Sequence, residues 1–156
     1  MNAKELYDLK PFGALVRYSD GTPKPPARHT KKVADWEKRN GQGFFVQANP
    51  PYDHEGSVAS ITLKLIQSDH FHYNQGFSVN SSLNFEVEMP APGTVMTYSP
   101  WRDDIEIANV HANYDDYLAW CVRNRYSPFG HGRKLWIVGE DGKLKDFTEA
   151  DAPVSV

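Results

Sequence analysis

Residues 83–89, Leu-Asn-Phe-Glu-Val-Glu-Met, alternate apolar and polar side chains without a break. Period-two alternation puts Leu83, Phe85, Val87 and Met89 on one face and Asn84, Glu86 and Glu88 on the other, the pattern of a half-buried strand. The same period over residues 57–66 aligns Ile61, Leu63 and Leu65. Shorter apolar runs predict strands over 12–18, 43–48, 94–98 and 105–110, separated by turn formers such as Ser19-Asp20-Gly21, Pro50-Pro51 and Pro92-Gly93. Residues 134–138 and 143–147 flank Glu140-Asp141-Gly142 and predict a hairpin. Residues 69–79 read equally as strand or loop.

Two stretches change to the helical period. In residues 114–124, Tyr114, Tyr117, Leu118, Cys121 and Val122 form an apolar stripe, and Asn113 is placed to cap the helix, with Asp116 three positions on. Trp120 falls outside that stripe and is expected to point outward. The second helix is expected from about Pro26 to Arg39, stopped by Asn40-Gly41. Its Ala27, Thr30, Val33, Ala34 and Trp36 share one half of the wheel.

Many short strands and two helices predict an α+β fold, a mainly antiparallel sheet with the two helices packed on it. The expected organisation is a single globular domain over 1–156 with a loose C-terminal tail from about 148. One interior is expected to join Leu63, Leu65, Phe85, Val87, Val33, Trp36, Leu118 and Cys121.

Composition narrows the class. The chain has 156 residues, 40% hydrophobic and 24% charged, which excludes a disordered composition. A single cysteine, Cys121, excludes an internal disulfide framework and a zinc site built from cysteines. The first residues carry no apolar signal-type segment, and no apolar run approaches membrane-spanning length. A cytoplasmic protein without membrane attachment is the expectation.

Charge adds a candidate site. The chain is net −3, but residues 22–43 hold Lys24, Arg28, Lys31, Lys32, Lys38 and Arg39 against Asp35 and Glu37. That segment is net +4 and the remainder −7. Arg28, Lys31, Lys32, Lys38 and Arg39 fall in the arc opposite Val33 and Trp36. A second cluster sets Arg123, Arg125, Arg133 and Lys134 among Tyr126, Phe129, His131 and Trp136, near Trp120. Arginine among aromatics suits base stacking or a protein hot spot. The bland reading of both clusters is a solvated surface. The sharper one is a non-enzymatic inhibitor or adaptor that grips an acidic protein surface or nucleic acid, with no cofactor.

Complete catalytic motifs are absent from the sequence: there is no Walker loop, no Gly-x-Gly-x-x-Gly and no Gly-x-Ser-x-Gly. His70-x-His72 is the best metal candidate, because residues two apart on a strand share a face. It supports an alternative reading as a small metal-dependent enzyme. A third reading is a structural or assembly subunit. Asp103, Asp104 and Glu106 form the one carboxylate group of catalytic type, and they also suit the polar face of an ordinary strand.

Overall fold

A computed structural model describes residues 1–68 and 71–153, with side chains except at 67, 68, 71 and 72. The chain divides into two compact units, Met1–Glu88 and Met89–Val156. The class is α+β, and the described residues form two antiparallel sheets and three α-helices.

In the first unit, α1 (Ala3–Leu9) precedes β1 (Leu15–Ser19), α2 (Thr30–Glu37), β2 (Gly41–Asn49), β3 (Ser60–Ser68), β4 (Phe71–Ser78) and β5 (Asn84–Glu88). The strands lie in the order β4-β3-β2-β1-β5, each pair antiparallel. β4 and β5 are the two edges. Even so, Phe77 of β4 packs against Tyr18 of β1 at 4.9 Å and against Phe85 of β5 at 5.7 Å. The sheet is therefore coiled until rings from both edges meet, the limit of the usual right-handed twist. Val16, Phe45, Ile61, Leu63 and Phe85 fill its inside, all fully buried.

Helix α1 was not expected from the sequence. Its N-terminus is a capping box: Asn2 accepts from the Glu5 N–H at 2.8 Å, and the Glu5 carboxylate reaches back to the Asn2 N–H. Leu6 and Ala3 are buried in the core, so the helix covers the sheet beside β3 and β5.

Helix α2 corrects two expectations. It begins at Thr30 and not near Pro26, because Pro26–His29 close a turn and His29 stands at the cap position. It also contributes no buried residue. Val33 and Trp36 are half-buried and stand outside the core. The Trp36 indole donates instead to the Thr22 carbonyl at 3.0 Å, so the helix rests on the loop that leads into it.

The second unit carries β6 (Val95–Trp101), β7 (Asp104–His111), α3 (Tyr114–Asn124), β8 (Lys134–Val138) and β9 (Leu144–Phe147), with sheet order β7-β6-β8-β9. The expected hairpin is the β8–β9 pair, with Leu135 opposite Phe147. At Thr148, where the expected tail begins, the N–H and the hydroxyl both donate to Asp151 across a 3₁₀ turn over Glu149–Asp151. Helix α3 spans the predicted residues, and Asn113 caps it by accepting from the Asp116 N–H at 2.8 Å.

Its buried face is rotated from the expected one. Tyr117 and Cys121 are buried, Leu118 is half-buried, and Val122 is 78% exposed. Trp120 does not point outward. It is half-buried with its ring 5.5 Å from His111 and 5.4 Å from Tyr126. The aromatic density around it draws that side of the helix inward, at the expense of Val122. Of the eight residues expected to share one interior, five fall into two clusters. Leu63, Leu65 and Phe85 pack in the first unit with Val87 at its margin, and Cys121 packs in the second with Val95, Tyr117 and Leu135. No helix among the described residues is long and apolar enough to cross a membrane.

Candidate binding site

The basic segment splits into paired and unpaired cations. Lys24 lies 4.0 Å from Glu37 and 5.9 Å above the Trp36 ring. Lys38 lies 3.6 Å from Asp35, and Arg39 Nε lies 3.1 Å from Asp20. The Lys24 and Lys38 pairs are exposed on both sides and contribute at most about 1 kcal/mol each, so their effect is local neutralisation more than stability. Arg28, Lys31 and Lys32 are exposed, and among the described residues no carboxylate pairs with them. The sequence-predicted arc of five is thereby reduced to three cations that have no internal counter-charge, at the start of α2.

Asp20 organises the other end of the segment. Its carboxylate accepts from the Thr22 hydroxyl at 2.6 Å, the Thr22 N–H at 3.0 Å and the Asn40 amide at 3.1 Å. Those bonds from Thr22, with Asn40 and Arg39 behind them, hold its pKa at about 2, below the ordinary 3.8. Asn40 is buried, and its amide also donates to the Trp36 carbonyl. β1, the loop and the end of α2 are tied together through these two side chains.

Beside that knot lies a cavity of about 430 Å³. Tyr18, Asn40, Gly41 and Gln42 line it from the end of β1 and the start of β2, Leu65, Ile66 and Tyr73 from β3 and β4, and Glu37 from the end of α2. Nothing in the sequence singled it out, since Tyr18 alternates with Val16 as any inward strand residue does.

In the second unit the aromatic-interleaved cations behave differently. The Arg133 guanidinium stacks over Tyr126 at 4.5 Å and Trp120 at 5.8 Å, and it donates to the Ser127 carbonyl. The predicted partnership of arginine with aromatic rings therefore exists, but it is made within the chain. Arg123, Arg125 and Lys134 are exposed. Arg125 ends α3 in the left-handed region at φ 58°, which turns Tyr126 back toward Trp120. Arg133 and Lys134 border a second cavity of about 430 Å³ with Tyr98, Phe129, Asp146 and Phe147. Asp146 at its margin accepts from the Tyr98 hydroxyl at 2.8 Å and from the Trp136 indole at 3.1 Å. Burial, with the bond to and charge of Asp146, pushes the Tyr98 phenol up to about 12.

His70 lies outside the described residues, as does the side chain of His72. Among the described residues, no group of three or more histidine, cysteine, aspartate or glutamate side chains is placed to hold a metal ion. Asp103 is exposed at the β6–β7 turn, while Asp104 and Glu106 are half-buried on β7.

Residues 1–131 match the model of the family described as uncharacterised conserved protein UCP036055. The chain belongs to this family. The UCP036055 match takes in all of the basic segment and the first cavity, and it stops before Arg133, Lys134, β8 and β9. No curated protein and no solved structure matches the chain.

Proposed function

We propose that this member of the UCP036055 family is a non-enzymatic binding protein, of inhibitor or adaptor type, that grips an acidic surface through Arg28, Lys31 and Lys32. The observation that carries the reading is the split within the basic segment. Lys24, Lys38 and Arg39 meet carboxylates of their own chain, whereas these three cations are exposed with none. The start of α2 supports it, because His29 makes no side-chain capping bond and the first turn holds no acid. The positive end of the helix dipole therefore adds to the cations. The acidic surface is a protein face or a nucleic-acid backbone.

The test compares Lys31→Glu/Lys32→Glu with Lys24→Glu/Lys38→Glu, a double reversal of equal charge change at paired positions. Partners are captured from lysate with and without nuclease, and binding to a short duplex oligonucleotide and to polyglutamate is titrated over a range of salt. The first reversal is expected to abolish capture while the second leaves most of it. Three phosphate contacts give a slope of log K on log salt of about −3. Equal loss from both reversals, or from neither, sinks the proposal, since the cations then only solvate a helix.

A further inference from the structure

Three buried or half-buried tyrosines have their phenols pushed up to about 12, with burial the first cause in each. Two have an acceptor. Tyr117 donates to the Pro128 carbonyl and Tyr98 to Asp146. Tyr18 differs. It is 4% exposed, with its ring against Phe77, yet no described residue hydrogen-bonds its hydroxyl. The Tyr18 oxygen is not sealed from solvent, so it faces the cavity with no described residue as its partner.

The surroundings of that hydroxyl say where a partner would come from. A β-carbon at position 41 would lie 2.6 Å from the Tyr18 oxygen, so glycine there is what lets the phenol end reach the cavity margin. Within the cavity, Asn40 is already committed to Asp20 and to the Trp36 carbonyl. That leaves the Gln42 amide, the Tyr73 phenol and the Glu37 carboxylate, which also faces Lys24 at 4.0 Å, as polar lining, with Leu65 and Ile66 as the apolar part. A phenol that stays protonated at neutral pH offers a donor. A carboxylate disfavours an anion and offers an acceptor. A volume of about 430 Å³ falls within the range of small-molecule pockets.

We infer that this cavity binds a small neutral cyclic amide, a flat ring whose carbonyl accepts from the Tyr18 hydroxyl and whose adjacent N–H donates to Glu37. The ring face lies on Leu65 and Ile66. An acidic group on the ligand is rejected by Glu37, and a pure hydrocarbon leaves Tyr18 unsatisfied. The site is independent of the Arg28, Lys31 and Lys32 surface.

The probes are uracil and 2-pyridone, with benzene as the hydrocarbon control, observed by saturation-transfer NMR and titration calorimetry on the full chain. Both amides are expected to bind, competitively with each other, and benzene is not. Tyr18→Phe removes only the hydroxyl, so it is expected to weaken the amides about tenfold while leaving the melting temperature unchanged or raised, because no internal bond is lost. Glu37→Gln, at an exposed position outside the core, is expected to weaken them several-fold with the fold intact. The inference is overturned if neither amide binds the wild type, if Tyr18→Phe binds them equally well, or if Tyr18→Phe is clearly destabilised, which would mean that the hydroxyl has a partner inside the chain.

Discussion

Asp20 fastens the basic segment to the end of β1 with one carboxylate. Thr22 contributes two donors, Asn40 an amide and Arg39 a charge. These groups favour the ionised form, which is why the carboxyl titrates at about 2 in the folded chain against an ordinary 3.8. A depressed folded value means that the stabilisation is fully present above about pH 4 and is lost as pH falls toward 2. Wild type should therefore be more stable than Asp20→Asn at neutral pH, and the gap should close between about pH 4 and pH 2 in urea titrations. A gap that stays constant over that range would show that the charge is not what Thr22 and Arg39 recognise. The i,i+3 pair of Asp35 with Lys38 is legible from spacing alone. The pair of Arg39 with Asp20 is not, because a loop and a helix separate them in the chain. Tyr18 is the same case. Its inward phase is readable from the strand period, but the missing partner of its hydroxyl exists only in three dimensions.

Elements differ in how much of their energy is local. Phe85 sits on β5 with no exposure and packs edge-on against Phe77. Phe85→Ala should cost roughly 3–5 kcal/mol, as large core truncations do. Val33→Ala, on a helix with no buried residue, should cost less than about 1 kcal/mol. Chemical denaturation of the two variants checks the contrast, and similar losses would place α2 in the core after all. Strand β5 is legible because one face meets the interior and the other meets water, so burial follows period, whereas in β3 Thr62 is buried between Ile61 and Leu63 and in α3 the buried side is turned from the expected one. That link fails in β2, where the register shifts between Phe45 and Gln47 and four successive residues, Phe45 to Ala48, are buried. A bulge breaks alternation without any mark in the composition. Helix α1 did have a mark, Asn2 with Glu5 three positions on, but a helix of seven residues has little periodicity to read. The reach of α2 was overestimated because proline is tolerated in a first helical turn, so Pro26 looked like a start.

Charge is distributed unevenly over the whole molecule. The first unit has ten basic and ten acidic residues and is neutral, whereas the second has seven and ten and carries the net −3. The cations of residues 22–43 thus polarise a unit with no net charge, a matter of encounter with partners and not of folding. The alternating pattern could not reveal that the chain builds two sheets, since strand period is identical in both and only pairing distinguishes them. The family match ends at His131, but the sheet of the second unit does not. Val95 to Tyr98 of β6 pair with Lys134 to Ile137 of β8, and Leu135 and Phe147 belong to the aromatic cluster around Tyr117. A fragment cut to residues 1–131 would leave the β6 backbone with a row of open donors and acceptors beside an uncovered apolar face. Such an edge is a template for joining a second chain. The fragment should elute as large aggregates in size-exclusion chromatography under conditions in which the 156-residue chain elutes as a defined species, so the last strands act as a guard against polymerisation.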